Sequence, residues 1–431
     1  MTAEIAIMNK LGVALAADSA ATIGYQSGNK IYNSANKLFM LSAIHPVGIM
    51  VYGSSELTGV PWETIVKLYR VHIGDKKLDT LQHYVTHFIS FLEESQVRLF
   101  PSSVQKLYLS TALGQYLLYI REEIQRELNE KKIDNNDAAL KIWINVIDTH
   151  KNSLDRMELL PYVDTEYQHE VEQEINDIFP SVFKSIFGDV HLPDKTLNNL
   201  KIMGVELIVK NAFLGNASGL IFAGFGENEI FPSVISIRTE GLFVNRLRQQ
   251  AGEGAIISFE SSAAIVPFAQ SEMVSTFMEG INPDYRQFLI TYISNLLANY
   301  PESLAQNLPG LKENEKAKLS NELKQVGVKL IQDFMEQVNK YQSTTYSEPI
   351  INNVAFLPID ELASMAEALV NLTSFKRHIS SDSETVGGPI DVAVISKKDG
   401  FIWIKRKHYF RPELNQHFFA QHDRYLSDSQ E

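Results

Sequence analysis

The chain has 431 residues, 45% hydrophobic and 21% charged, with a formal net charge of −13 and no cysteine. The acidic balance excludes a general nucleic-acid binder, which needs a basic face to neutralise phosphates, and the missing cysteine excludes disulfides, thiolate nucleophiles and cysteine-based zinc sites. No uncharged apolar run approaches the ~20 residues that span a bilayer, and the N-terminus lacks the basic and apolar regions of a secretory signal. The expectation is a cytoplasmic protein with no membrane or nucleic-acid partner and no cofactor.

The chain opens with "TAEIAIMNKLGVALAADSAATIG", in which Ile5, Ile7, Val13, Leu15 and Ala17 flank the turn Asn9-Lys10-Leu11-Gly12. This predicts two short strands joined by a tight turn. A polar loop follows over 25–30, then strands at 37–41 and 47–52 ending on Gly53. From Trp62 to about His150 the spacing of apolar residues is helical, as it is in "EYQHEVEQEINDIFPSVFKSIF", where Pro180 predicts an interruption. Strand signals return in "GLIFAGFG", "FPSVISIRT", "GLFVNRLR" and "GAIISFE". Helices are expected to resume near Val266 and to continue through "DELASMAEALVNLTSF". The strands "PIDVAVIS" and "GFIWIKR", joined at Lys398-Asp399-Gly400, complete the pattern. Strands, helices, strands, helices and strands in that order predict an α+β fold in which two antiparallel sheets pack face to face under helices.

An apolar hairpin at the very start of a chain needs something to tie it down, because chain ends are ordinarily loose. Several stretches carry a resemblance that supplies the reason. The opening hairpin with its Ala-Asp-Ser-x-Ala-Thr-x-Gly segment, "SANKLFML", "VGIMVYGSSELTGVPWETIVKLYR" and "SSDSETVGGPIDVAVISKKDGFIW" resemble a proteasome-type β subunit of the N-terminal-nucleophile hydrolases. The Val-Gly-Gly-Pro-Ile-Asp form is nearest the bacterial ancestral β-subunit branch, Anbu. The likeness covers about 2–75, 218–280 and 358–405. It implies a four-layer αββα sandwich with two helical insertions: core at 1–75, 216–282 and 351–407, insertions at 76–215 and 283–350, and a tail at 408–431.

The same resemblance assigns chemistry. Removal of Met1 would leave Thr2 with a free α-amine, whose ordinary pKa of ~7.7–8.0 suits it to act as the base for its own hydroxyl. Lys37 supplies a cation that lowers the amine pKa further, Asp18 holds that lysine, and the backbone N–H of Gly53 forms the oxyanion hole. Lys30, the competing lysine, lies in the loop. Thr22 and Gly53 would hold the substrate backbone as an added strand, Ala21 and Val51 would line a pocket that favours apolar side chains, and Asp382 and Thr385 would support the centre. Ser261 and Ser262 stand off the family spacing, and Gly53-Ser54 replaces the family's Gly-Gly. The implied activity is a threonine peptidase acting on peptide or protein, assembled as a homo-oligomeric ring or stack and served by an ATPase unfoldase, with no metal. Two alternatives are an inactive shell subunit of the same fold and an amidase acting on a small molecule.

Overall fold

The structure is a computed structural model that describes residues 2–25, 28–94, 99–133, 135–213, 215, 217–310, 312–379, 386–408 and 410–417. Asp382 and Thr385 lie outside them. The chain divides into two compact units, one built mainly from 1–35 and 256–397 and the other mainly from 36–255. Among the described residues no helix is long and apolar enough to cross a membrane. Each unit carries a five-stranded sheet whose strand pairings are antiparallel, which makes the fold α+β.

In the first unit β1 (Ala3–Asn9) and β2 (Gly12–Ala17) form the expected hairpin, paired from Glu4 with Ala17 to Asn9 with Gly12. All thirteen residues of the two strands are buried, consistent with their near-continuous apolar runs. Asn9 closes the turn by accepting the Leu11 N–H at 2.9 Å, and its amide donates to the carbonyls of Val354 and Leu357, each at 2.9 Å. The segment read as a polar loop is instead a ribbon of β3 (Ala21–Tyr25) and β4 (Gly28–Tyr32).

The second correction concerns Val266. It lies in a strand, β12 (Ala263–Ala269), which pairs with β1 along its whole length. Pro267 fits within it because β12 is the sheet's edge, where a missing N–H is tolerated. The sheet runs β12-β1-β2-β13-β14, with β13 (Asp391–Ser396) and β14 (Gly400–Lys405) forming the C-terminal hairpin. Ile5, Ile7, Ala14, Ala16, Val392 and Val394 present one apolar face. Against it packs a long helix (Ile359–Ile379) through Leu362, Ala363, Ala366, Leu369 and Val370.

The second unit orders its sheet β11-β10-β9-β6-β5, from β5 (Leu38–Met40), β6 (Val47–Gly53), β9 (Ser218–Gly224), β10 (Ser233–Phe243) and β11 (Arg246–Ile256). A small hairpin of β7 (Glu56–Leu57) and β8 (Val60–Pro61) leads into the helices. Where three short strands were expected between 231 and 260, two eleven-residue strands turn at Val244-Asn245, both at positive φ (46° and 62°). Helix α1 (Trp62–Ile73) and α2 (Leu81–Glu94) cover the sheet, with Ile65, Tyr69, Tyr84 and Phe88 against Ile49, Leu220 and Phe222.

Helices α3 (Ser102–Lys131), α4 (Asn136–Asp155), α5 (Thr165–Phe187) and α6 (Asp194–Val209) build a separate core around Leu117, Ile120, Ile147, Val171, Ile175 and Met203. Helix α5 continues through Pro180, contrary to the expected interruption. The proline ring is accommodated at the cost of one backbone hydrogen bond, while Phe179 and Val182 beside it are buried.

Candidate functional site

The N-terminal residues that the sequence singles out meet at one end of the first hairpin. Thr2 immediately precedes β1 and is 6% exposed; its carbonyl accepts the Gln270 N–H at 3.1 Å. Asp18 follows β2 directly and is fully buried. Because the strands run antiparallel, the first residue of β1 and the residue after β2 are neighbours: the Asp18 N–H donates to the Ala3 carbonyl at 3.1 Å.

The Asp18 carboxylate collects backbone donors. Its Oδ1 accepts the Ala3 N–H at 3.0 Å, and its Oδ2 accepts those of Ala20 at 3.1 Å and Gly387 at 3.0 Å. Such charge-assisted bonds are roughly twice as strong as neutral ones, so they fix the carboxylate beside the start of β1. Gly387 also accepts the Ser19 N–H at 3.1 Å, and the Ser19 hydroxyl donates to the Pro389 carbonyl. Ser19 is therefore engaged in holding the Gly387 loop. The Gly387-Gly388 pair stands out in the sequence, but nothing in its spacing places it against Asp18.

Ala21 opens β3 and is half-buried, and Thr22 pairs with Ile31 in that ribbon. Ser261 and Ser262 belong to a turn before β12, where the Ser261 carbonyl accepts the Ser258 N–H at 2.9 Å.

The second unit holds Lys37, Val51 and Gly53. Lys37 directly precedes β5 and is only 6% exposed, unlike an ordinary surface lysine. Its carbonyl accepts the Val51 N–H at 2.8 Å, so Lys37 and Val51 are neighbours, and Val51 is itself 6% exposed. Gly53 ends β6 at φ +81°, and a Cβ there would stand 2.2 Å from the Ala217 carbonyl oxygen.

The turn after Gly53 is clamped from two sides. The Ser54 N–H donates to Ala217 at 3.2 Å, and its carbonyl accepts the Ser218 hydroxyl at 3.1 Å. That hydroxyl in turn accepts the Trp62 indole N–H at 2.8 Å. Nothing in the spacing of Trp62 and Ser218, 156 residues apart, announced this support.

Among the described residues, no group of three or more histidine, aspartate and glutamate side chains is placed to hold a metal ion. The first unit thus offers a hydroxyl at a strand start beside a fixed buried carboxylate, and the second unit, by itself, a buried lysine next to the strand that ends on Gly53.

No family model matches the chain, and no curated protein matches it. Among solved structures the chain is similar to one described as an Anbu (Gly-1) mutant from Hyphomicrobium sp. strain MC1. The two share 10% sequence identity over 99% of this chain and 97% of that one, with a TM-score of 0.27.

Proposed function

We propose that the chain is a proteasome-like N-terminal threonine hydrolase that cleaves peptide bonds through an ester on Thr2 after removal of Met1. The observation that carries this reading is the Asp18 carboxylate, fully buried and hydrogen-bonded to the N–H of the residue that follows Thr2. A threonine at a loose chain end would be a poor nucleophile, since its approach to substrate would differ in every molecule.

In this reading the free Thr2 amine takes the hydroxyl proton while Oγ attacks the substrate carbonyl carbon. The oxyanion accepts the Gly53 N–H, an interaction worth about 10²–10³ in rate. The C–N bond breaks, the amine returns its proton to the leaving group, and water then hydrolyses the ester with the amine again as base. Lys37 is the cation that keeps the amine unprotonated near neutral pH. Ala21 and Val51 receive an apolar substrate residue, Thr22 and Gly53 hold the substrate backbone as an added strand, and Asp382 and Thr385 support the centre. The accompanying architecture is the four-layer αββα sandwich interrupted by insertions at 76–215 and 283–350. Its setting is a cytoplasmic homo-oligomer that takes unfolded chains from an ATPase unfoldase.

The test is the intact mass of the protein after exposure to a peptide epoxyketone, a warhead that needs both a threonine hydroxyl and the adjacent free amine. Loss of Met1 with one adduct mapped to Thr2, absent in Thr2→Ala, is expected. Retained Met1 with no adduct overturns the mechanism in favour of an inactive shell subunit of the same fold. Adduct formation by a single chain that cleaves only small amides would redirect the activity to the amidase class.

A further inference from the structure

In the first unit a short helix α7 (Glu272–Glu279) is followed by α8 (Pro283–Asn307) and α9 (Glu313–Gln342), and the last two form an antiparallel hairpin. Its register is set by Arg286 donating to Asn339, by Lys324 beside Glu302 at 3.6 Å, and by Gly327 lying close under the Leu297 carbonyl. At 1.5 Å per residue the arms are ~37 and ~45 Å long. They bury little: Pro301 and Ala305 in one arm, Ser320 and Gly327 in the other. A two-helix hairpin with so thin a seam lacks the apolar burial that ordinarily stabilises helices.

The missing burial is present as exposed surface. On α8, Tyr285, Phe288, Tyr292, Leu296 and Tyr300 recur at three- and four-residue spacing and are each 52–60% exposed. Their rings form a stacked run, Tyr285 to Phe288 at 6.4 Å and Phe288 to Tyr292 at 6.1 Å. On α9, Val326, Leu330 and Phe334 stand four apart with Tyr341 two turns further on, and are 41–61% exposed. With Leu297 against Gly327 and Arg286 against Asn339, the helical repeat puts both stripes on the same side of the seam. Residues 287–301 contain no charged side chain.

We propose that this face is covered by a second copy of the chain, two hairpins pairing across a two-fold axis into a four-helix bundle. Area and charge both favour that occupant. The six aromatic and three aliphatic side chains, about half exposed, offer roughly 900 Å² per copy, or ~1,800 Å² in the pair, within the ~1,200–2,000 Å² of a stable interface. The whole chain carries −13, which opposes self-association, yet residues 283–342 hold seven acidic and seven basic side chains and are neutral. The hairpin is thus a face on which two copies meet without a charge penalty. The pairing is independent of the Thr2 chemistry, and its failure would leave that reading standing.

The test is the mass of the full chain in solution by light scattering, for the wild type and for the double variant Phe288→Asp/Leu330→Asp. The expected result is a wild-type assembly whose mass the double variant halves, with its far-ultraviolet circular dichroism unchanged. A second measurement covers the case of a variant that folds poorly. Because the chain has no cysteine, Asn299→Cys introduces a single thiol on the exposed face, and a short bis-maleimide should then give a covalent species of twice the chain mass. A wild-type mass of one chain, including one in which the face takes up a peptide or a vesicle surface, overturns the proposal. So does a mass that the double variant leaves unchanged, or an Asn299→Cys protein that does not cross-link.

Discussion

Asp18 receives the backbone N–H of Ala3 on Oδ1 at 3.0 Å, tying the end of the second strand to the start of the first. Oδ2 receives two more backbone donors, from Ala20 and Gly387. Asparagine in its place offers one acceptor oxygen and turns amide hydrogens toward an N–H. Asp18→Asn should therefore lower stability by about 2–4 kcal/mol, the range for removing a charged acceptor from buried donors. It should also prevent epoxyketone labelling of Thr2. The midpoint of chemical denaturation and the intact mass read the two effects. A variant as stable as the wild type would show that the three bonds contribute nothing.

Gly53 and Gly59 make a matched pair with different surroundings. Their φ values are +81° and +82°, but a Cβ on Gly53 would stand 2.2 Å from the Ala217 carbonyl oxygen, whereas nothing lies within 4 Å of one on Gly59. Gly59→Ala should cost about 1 kcal/mol, the conformational penalty alone. Gly53→Ala adds a backbone clash that must displace β6 from β9, and should cost about 2–4 kcal/mol. Denaturation midpoints compare the two. Equal losses would mean that the Gly53 turn moves freely and is not held for substrate.

The first hairpin was legible because its signals are local and consistent: alternating apolar residues, an Asn-to-Gly turn and a following aspartate. The strand ending on Gly53 was legible for the same reason. What escaped was decided by tertiary contact. Val244 is a poor turn residue, yet it sits at positive φ because Gln105 exchanges two hydrogen bonds with Asn245 (3.0 and 2.8 Å) and Tyr167 donates to the Phe243 carbonyl at 3.0 Å. A contact 140 residues away leaves no local trace. The strand at Val266 escaped because its place at the sheet edge beside β1 is set by pairing with a segment about 260 residues earlier.

At the candidate site, burial was the part the sequence could not supply. Lysine is a surface residue by default, and only the fold shows Lys37 at 6% exposure. The clamp from Trp62 to Ser218 to Ser54 likewise depends on which strands pair, here β6 with β9.

Acid should act on the two units in opposite directions through Glu272 and Glu93. The hydrogen bond from Lys376 holds the Glu272 carboxyl below the usual range, with help from Asn282. A depressed folded pKa contributes stability that is fully present above the ordinary value of ~4.3 and is lost as pH falls through the folded one. Burial pushes the Glu93 carboxyl up, so its ionised form weakens the fold at neutral pH and that penalty disappears in acid. Glu272→Gln should therefore flatten the loss of thermal stability between pH 6 and pH 3, while Glu93→Gln should be at least as stable as the wild type at pH 7. Thermal unfolding across that range checks both signs.

The helices inserted between β6 and β9 should depend on one buried ion pair for their attachment to the sheet of the second unit. Arg248 on β11 is 1% exposed, pairs with Glu240 on β10, and donates to the carbonyls of Ile208 at 3.0 Å and Lys210 at 2.9 Å. Its guanidinium also lies over the Phe213 ring at 4.3 Å. Burial pulls the arginine pKa below its ordinary value while Glu240 opposes that shift, which marks a charge kept in place by its partner. Glu240→Gln leaves that charge uncompensated and should destabilise by about 3–5 kcal/mol. Arg248→Lys should not rescue, because an ammonium cannot reach two carbonyls and a carboxylate in the planar fork. Arg248→Met combined with Glu240→Leu removes both charges, takes the arginine donor from the two carbonyls and takes from the Gly215 N–H the carboxylate that accepts it at 3.2 Å. The double variant should then be more stable than Glu240→Gln, and denaturation of the wild type, Arg248→Met, Glu240→Leu and the double variant would reveal the non-additivity. A double variant worse than either single change would show that the pair is net stabilising, and that the insertion is held to the sheet by charge rather than by packing.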